Sequence, residues 1–307
     1  MIDLTRLQIF LSVAENLSFS EAAQRLHVSQ PTVSHHIKAL EQALGVELFD
    51  RSSQRVKLTG AARLLYPRAR KLLHDTVEIQ QIMNSLQEQV VGHLRIACST
   101  TAGKYILPQF ASRFHERHPG VGVSISRCTA AGVVPNILEE DADLGAVSFE
   151  ACEGEVECQV FFEDRIVLVV PAEHPWANQE SIEPSDLLGE NMILRESTSG
   201  TSRVLSSELG KHDIGLEDLN TFLELGNSEA IVMTVEAGFG VAFVSRIAAS
   251  CPLAMGLIAE VPVAGFDLRR KIYMIRKKLR PANRAVDAFW GFVHHPTNID
   301  LLAMAKE

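Results

Sequence analysis

Residues 19–59 read FSEAAQRLHVSQPTVSHHIKALEQALGVELFDRSSQRVKLT, and their pattern limits what the N-terminal part of the chain can be. Ser18 lies three residues before Glu21, the spacing of a capping box, and predicts the start of a short helix. After a tight turn, Ser29 is a good N-cap for the next helix, and Pro31 falls in its first turn, where a missing N–H costs nothing. Two short helices joined by three or four residues predict a helix-turn-helix.

The outward face of the second helix is predicted to carry polar side chains. Its members are Gln30, Thr32, Ser34, His35 and Lys38. Such groups hydrogen-bond base edges or phosphates, and glutamine suits adenine in the major groove. Residues 50–58 then read as a two-stranded wing with Arg51 and Arg55 exposed. The pattern predicts a winged helix-turn-helix that binds double-stranded DNA.

The charge distribution supports a DNA contact in this region. The 307-residue chain has 29 Lys and Arg against 38 Asp and Glu, but its first ninety residues hold ten basic against nine acidic side chains. Seven basic residues and no acidic one lie from Arg51 to Lys71. This segment can bind DNA phosphates, whereas the acidic remainder of the chain should be repelled by them. A solvated basic helix face is the alternative explanation.

Residues 59–89 predict one long helix that pairs two copies of the chain. Leu65, Leu72, Ile79 and Leu86 recur every seven residues, with Ala69, Thr76, Met83 and Val90 beside them. A sustained seven-residue apolar repeat indicates a coiled-coil seam, and two-fold operators require paired readers. Pro67 should kink or unwind the first two turns. A helix that packs only on its own domain is the alternative.

After Gly92, short strands alternate with helices in two cycles of similar size. Strands are predicted near 94–97, 121–126, 144–148, 166–170, 192–194, 222–225, 241–245 and 270–275. Helices are predicted to include 106–114 and to span 133–140, 202–211, 228–237 and 283–293. This alternation predicts a mostly parallel sheet with helices on both faces, divided into two lobes with a cleft.

Small hydroxyl residues follow three of the predicted strands, within the segments 98–101, 195–201 and 226–228. Open parallel sheets bind ligands beyond the carboxyl ends of their strands, next to helix N-termini. Free N–H groups and hydroxyls, together with Arg195, suit a carboxylate or a phosphate. The alternatives are that the hydroxyl residues only cap helix N-termini and that Arg195 forms an ion pair with Glu196 instead of binding a ligand.

Other functional classes find little support. The chain has no Gly-x-Ser-x-Gly, no phosphate-binding Gly-Lys-Ser/Thr loop and no His-Glu-x-x-His, so an enzyme on the lobes is only an alternative, and neither cofactor nor metal is expected. The five cysteines include no Cys-x-x-Cys pair, so we expect them to be reduced thiols. The alternative is that Cys152 and Cys158 form a redox pair. Without a secretory leader or about 18 consecutive apolar residues, we expect a cytoplasmic protein with no membrane partner.

The stretch from Phe19 to Thr59 resembles the winged-helix signature of the LysR-type transcriptional regulators, and the similarity extends along the whole chain. The resemblance implies that Gln30, Pro31, Thr32, Ser34 and His35 lie in the major groove, while Arg51 and Arg55 hold phosphates at the wing. It also implies an effector site between two lobes like those of periplasmic binding proteins, at Ser99, Thr100, Thr101, Thr129, Ser148, Arg195, Thr198, Thr201 and Asn227. One departure is Ala62, which stands where the family usually has glycine.

By this resemblance the fold is α/β overall, with an all-α winged helix-turn-helix, a long linker helix and a two-lobed α/β effector domain. We place the DNA-binding domain at 1–58, the linker helix at 59–90 and the effector domain at 91–307. Lobe I is placed at 91–163 and 267–307, and lobe II at 164–266.

Two further segments, ILRESTSGT (193–201) and ELGNSEAIVMTVEAGFGVAFVS (224–245), resemble the subgroup that regulates carbon fixation and sulfur assimilation. This implies a small anionic effector, with phosphorylated metabolites among the candidates. Peroxide-sensing members carry a cysteine pair around the segment matching 197–209, which this chain lacks. We expect a homodimer or homotetramer that binds promoter DNA under effector control and contacts RNA polymerase. A constitutive repressor without an effector is the alternative.

Overall fold

A computed structural model describes residues 3–50, 56–85, 90–98, 101–280 and 283–302. The chain divides into two units, Met1–Glu88 and Gln89–Glu307. Within the described ranges, no helix has both the length and the apolar character that crossing a membrane requires.

The first unit begins with three helices: α1 (Leu4–Asn16), α2 (Phe19–Arg25) and α3 (Gln30–Leu44). They are capped by Asp3, Ser18 and Ser29, whose side-chain oxygens each accept a backbone N–H of the first turn. An antiparallel hairpin, β1 (Phe49–Asp50) and β2 (Lys57–Leu58), follows α3. The predicted winged helix-turn-helix is therefore confirmed, although the wing tip, 51–55, lies outside the described residues.

The orientation of α3 is fixed by an apolar core. Val33, Ile37 and Leu40 on its inner face are fully buried. The Phe49 ring lies against those of Phe10 and Phe19, with centroids 5.7 and 5.5 Å away. This packing turns the opposite, polar face of α3 to solvent.

A long helix, α4 (Gly60–Ser85), follows the hairpin. Of the two predicted effects of Pro67, a kink or an unwinding of the first two turns, unwinding is wrong, because the helix continues through Pro67. Proline removes one backbone hydrogen bond there, but Leu65 and Ala69 pack against the core of the unit on either side of it. Thr59 accepts the N–H of Ala62 at 3.2 Å, so the helix starts normally although Ala62 replaces the family's glycine.

The predicted seven-residue stripe on α4 is only partly available for pairing. Leu72, Ile79 and Met83 are exposed, whereas Leu65 packs against the unit's own core. Leu86 lies outside the described residues. Val90 does not belong to the stripe, because it is not helical and packs against the core of the second unit.

The second unit is built, within its described part, on one nine-stranded sheet. The strands are β3 (Gly92–Cys98), β4 (Val121–Arg127), β5 (Leu144–Val147), β6 (Val156–Pro171), β7 (Met192–Arg195), β8 (Thr221–Leu225), β9 (Val241–Ser245), β10 (Ile258–Val261) and β11 (Arg269–Lys277). The helices are α5 (Leu107–Arg117), α6 (Ala130–Leu138), α7 (Gly200–Leu209), α8 (Ser228–Glu236), α9 (Arg246–Ala254) and α10 (Arg284–Val293). A π-helical turn, Ala102–Ile106, leads into α5.

The sheet forms two lobes joined by β6 and β11. Its order is β4-β3-β5-β11-β6-β9-β7-β8, and β10 pairs with β6. The first lobe contains the parallel strands β3, β4 and β5, and the second lobe the parallel strands β7, β8 and β9. The prediction of a mostly parallel sheet is wrong at its centre, because β6 enters the second lobe, β11 returns to the first, and these crossing strands pair antiparallel with each other and with β5, β9 and β10.

The cysteines differ from the prediction at one pair. The structure joins Cys152 to Cys158, whose Cα atoms are 5.2 Å apart, a separation that suits a disulfide. The expectation of reduced thiols is therefore wrong for this pair in the structure, because the turn that leads into β6 brings Cys152 next to Cys158 on that strand. Cys98, Cys128 and Cys251 are free thiols.

Candidate DNA-reading helix and effector cleft

The outward face of α3 presents the polar side chains that the sequence predicted to be there. Gln30, Pro31, His35 and Lys38 are exposed, and Thr32 and Ser34 are half-buried. Gln30 Nε2 donates to Ser34 Oγ at 3.1 Å, so the amide of Gln30 is oriented along the helix surface. Arg51 and Arg55 lie outside the described residues.

The one acidic side chain of α3 is turned away from this face. Glu41 Oε1 accepts the backbone N–H of Leu48 at 2.8 Å and that of Phe49 at 3.3 Å. The carboxylate thus ties α3 to the hairpin instead of facing solvent, where it would repel phosphates. The exposed face of α3 can therefore approach the edge of a nucleic-acid groove.

In the second unit, a buried ion pair lies where the two lobes join. Asp164 on β6 and Arg270 on β11 are direct cross-strand partners, and both side chains are buried. Arg270 donates from Nε and Nη2 to Asp164 Oδ2, at 2.8 and 2.6 Å. Ser245 donates to the other carboxylate oxygen at 2.6 Å. Each charge is compensated, as burial requires.

Hydroxyl groups from both lobes meet the Arg270 guanidinium. Thr101, at the start of the π-helical turn in the first lobe, accepts from Nη2 at 3.4 Å. Thr201, in the first turn of α7 in the second lobe, accepts from Nη1 at 3.1 Å. A Cβ atom at Gly200 would lie 2.3 Å from Ser148 Oγ, so the lobes approach closely there. The structure therefore brings Thr101, Ser148 and Thr201 together around one cation.

Arg195 is already paired within the second lobe. Its Nε and Nη2 donate to the Glu196 carboxylate at 2.8 and 2.7 Å, and its Nη1 donates to Ser228 Oγ at 2.8 Å. The alternative raised from the sequence, an ion pair with Glu196, describes this geometry. A direct effector contact by Arg195 stays a prediction, and it would require this pairing to change.

A second part of the cleft is a cavity of about 370 Å³, here called the cleft cavity. It is lined by Cys98, Gly103, Lys104, Ile125, Arg127, Asn227 and Glu229. Asn227, one of the predicted site residues, caps α8 by accepting the N–H of Glu229 at 2.9 Å. Burial, with a smaller contribution from Cys128, raises the pKa of the Cys98 thiol to about 12, so the wall it forms is neutral. The charge of the cleft cavity comes from Lys104, Arg127 and Glu229.

Four of the predicted effector residues remain. Thr129 and Thr198 are exposed, and Ser99 and Thr100 lie outside the described residues. Over the described ranges, no cluster of three or more His, Cys, Asp or Glu side chains could hold a metal ion.

Sequence reasoning missed Asp164 and Arg270. Each charged residue lies on the buried face of its strand, because the residues two positions before and after it are buried and apolar. These residues are Leu268 and Ile272 for Arg270, and Phe162 and Ile166 for Asp164. A charged residue at a buried strand position is a usable signal, because such a charge needs a partner. Lys104 and Arg127 carried no comparable signal.

Two family matches cover most of the chain. Residues 4–63 match the family described as bacterial regulatory helix-turn-helix protein, lysR family. Residues 87–296 match the LysR substrate binding domain.

Two relatives match over nearly the whole length. A protein of Methanocaldococcus jannaschii named as an uncharacterized HTH-type transcriptional regulator is 35 % identical over 287 residues, covering 93 % of this chain and 96 % of its own. A probable RuBisCO transcriptional regulator of Trichormus variabilis is 32 % identical over 290 residues, covering 93 % and 86 %. The predicted resemblance to regulators of carbon fixation is confirmed by relatives of this name.

Two solved structures share the fold. CbnR complexed with its target DNA matches with a TM-score of 0.74 at 22 % identity, covering 95 % of this chain and 99 % of that one. The CcmR regulatory domain of Synechocystis PCC6803, in complex with 2-PG, matches with a TM-score of 0.60 at 25 % identity, covering 66 % and 95 %. Since the family matches span both units and full-length relatives are regulators, this chain belongs to the LysR family of transcriptional regulators and is not an enzyme.

Proposed function

We propose that the chain binds promoter DNA through α3 and that a small anionic metabolite, bound between the lobes of the second unit, modulates this binding. The observation that carries the proposal is the convergence of Thr101 and Thr201, one from each lobe, on the buried Arg270 guanidinium. A ligand that inserts among these groups must change the contact between the lobes. The CcmR regulatory domain, solved in complex with 2-PG, supports a small-molecule effector.

For the DNA contact, we propose base readout by Gln30 with Pro31, Thr32, Ser34 and His35. Phosphate contacts are assigned to Lys38, Arg51 and Arg55. The polar, carboxylate-free outward face of α3 supports the first assignment, since hydrogen-bonding groups there can reach base edges.

For the effector contact, we propose Thr101, Ser148, Thr201 and Asn227 as the central groups. Ser99, Thr100, Thr129, Thr198 and Arg195 complete the proposed site. Hydroxyls and helix N-termini favour an anion. Because Arg270 is neutralised by Asp164, we expect it to orient the threonines instead of supplying the free positive charge.

We further propose that the chain pairs through α4 as a homodimer or homotetramer and contacts RNA polymerase. The exposed side chains of Leu72, Ile79 and Met83 support pairing through this helix. The proposed domain limits are 1–58, 59–90 and 91–307, with lobe I at 91–163 and 267–307 and lobe II at 164–266. A regulator of promoters works beside the chromosome, so the proposal places it in the cytoplasm.

A panel of metabolites that includes 2-PG tests the effector site on the purified full-length chain. We expect at least one small anion to raise the melting temperature, because a ligand that binds the folded state stabilises it by mass action. Thr201→Val should abolish the rise, whereas Thr221→Val, an equivalent change at an exposed position, should preserve it. The proposal fails if no anion of the panel shifts the melting temperature.

A further inference from the structure

The cleft cavity holds more positive than negative charge. Lys104 and Arg127 line it together with one carboxylate, Glu229. The Arg127 side chain is exposed and makes no hydrogen bond or ion pair in the described part of the chain. Glu196 attracts it at longer range, but that carboxylate is already paired with Arg195. An arginine fork beside a lysine ammonium is the combination that proteins use to bind phosphate or paired carboxylates. The cleft cavity therefore suits a small dianion.

Glu229 connects the two lobes at this cavity. It lies in the first turn of α8 in the second lobe, and its carboxylate forms an ion pair with Lys104 of the first lobe. The Tyr105 hydroxyl, also from the first lobe, donates to Glu229 Oε1 at 2.9 Å. The hydrogen bond from Lys104 lowers the pKa of the Glu229 carboxyl, so the group is ionised near neutral pH. The Glu229 carboxylate therefore already binds the Lys104 ammonium group, to which an anionic ligand would otherwise bind.

This internal contact is weak enough to be displaced. The Lys104 and Glu229 side chains are 46 % and 36 % exposed, and ion pairs with that degree of exposure contribute little to stability. A ligand with two negative charges that contacts both Lys104 and Arg127 can outcompete Glu229, because it makes charge-assisted hydrogen bonds to two cations whereas Glu229 pairs with Lys104 alone.

We propose that the anionic group of the effector binds Lys104 and Arg127 in the cleft cavity and displaces Glu229 from Lys104. The inference rests on the proposed function. It adds that Lys104 and Arg127 select a ligand of negative charge and that the Lys104–Glu229 contact responds to its binding. Displacement breaks the ion pair that joins Lys104 of the first lobe to Glu229 of the second, so ligand binding is coupled to the contact between the lobes. The ligand class is a small phosphate ester or dicarboxylate.

Isothermal titration calorimetry of the full-length chain with 2-PG tests this assignment. Arg127→Ala and Lys104→Met should each weaken binding about tenfold or more, the effect of losing a hydrogen bond to a charged group. Glu229→Gln should tighten binding about two- to fivefold, because it removes the competing carboxylate. In the Lys104→Met background, Glu229→Gln should no longer tighten binding.

A second lysine–glutamate pair provides the matched control. Lys211 Nζ lies 2.7 Å from Glu208 Oε2; the lysine is exposed, the glutamate is largely buried, and neither residue lines the cleft cavity. Lys211→Met should leave the dissociation constant unchanged. Titrations with inorganic phosphate and with succinate identify which anionic group the two cations bind.

The possible outcomes separate this inference from the proposed function. If the wild-type chain binds 2-PG, phosphate or succinate and the Lys104 and Arg127 variants bind it equally well, this inference is overturned while the effector site stands. Weaker binding by Glu229→Gln overturns it as well, because Glu229 would then support the ligand instead of competing with it. If none of the three anions binds the wild-type chain, this inference is overturned, and the metabolite panel then decides whether the proposed anionic effector stands.

Discussion

Asp164 and Arg270 carry opposite charges at facing, buried positions of β6 and β11. Removing one partner of a buried pair leaves the other charge uncompensated, which costs roughly 3–5 kcal/mol. We therefore expect Asp164→Asn to lower the free energy of unfolding by about that amount in urea denaturation of the full-length chain. Arg269→Ala, at the exposed neighbouring position, should leave the urea midpoint unchanged. Similar losses from both substitutions would contradict a special role for the buried pair.

His294 gives the second unit a defined pH dependence. Burial lowers the pKa of its imidazole. Its Nδ1 donates to the Trp290 carbonyl at 2.8 Å, while its Nε2 is buried with no hydrogen-bond partner among the described residues. The unfolded chain therefore binds a proton more readily than the folded chain. Its contribution to stability is complete above the unfolded pKa of about 6.5 and is lost as the pH falls below it.

Urea denaturation at pH 7.5 and pH 5.5 measures this effect. We expect the midpoint to fall at the lower pH and His294→Asn, whose amide can keep the bond to the Trp290 carbonyl, to reduce the fall. His295→Asn, at an exposed position, should keep the full wild-type dependence. An equal fall in wild type and His294→Asn would show that other groups are responsible.

Among the residues of the candidate site, the sequence identifies the hydroxyl side chains better than the charged ones. Thr101 and Thr201 could be identified because they follow strands, at positions where helix N-termini meet a cleft. Arg195 was the only cation proposed for the site, yet its donors are taken by Glu196 and Ser228. Which cation is free depends on contacts between residues far apart in the chain, such as Arg270 with Asp164, and spacing in one sequence does not encode these.

At the scale of single elements, α3 separates base readout from phosphate binding. Gln30→Ala should relax the preference at particular base pairs by about 1–3 kcal/mol, because the amide of Gln30 can make a bidentate contact. Lys38→Met should weaken binding to all sequences alike and lower the salt dependence by about one unit. Competition binding on the promoter region and on single-base variants, at several salt concentrations, measures both. Equal, sequence-independent losses would remove Gln30 from base readout.

The helices and strands that could be predicted are those whose limits depend on residues close together in the sequence. The starts of α2 and α3 follow from Ser18 and Ser29, whose caps require only a few neighbouring residues. The first half of β6 was missed because only the apolar run from Ile166 onwards reads as a buried strand. The helical course through Pro67 also could not be predicted, since packing of α4 on the core outweighs the local preference of proline.

At the scale of the whole molecule, the proposed pairing through α4 can be tested by one added charge. Ile79 is 58 % exposed, and Ile79→Glu would place a carboxylate in the proposed apolar seam. We expect sedimentation equilibrium to give a smaller assembly for this variant than for wild type. Leu279→Glu, at a position that is 83 % exposed in the second unit, should leave the assembly unchanged. Identical masses for the Ile79 variant and wild type would exclude α4 as the pairing element.

In the proposed mechanism, occupation of the cleft changes DNA binding by the helix-turn-helix. The most direct measurement is the affinity of the full-length chain for its promoter region, with and without an anion already known to bind the cleft. We expect the anion to change this affinity by about 5- to 150-fold, the usual range of allosteric coupling. We also expect Thr201→Val to remove this change without altering the affinity measured in the absence of the anion. An anion that binds the cleft but leaves promoter affinity and footprint unchanged would contradict this mechanism.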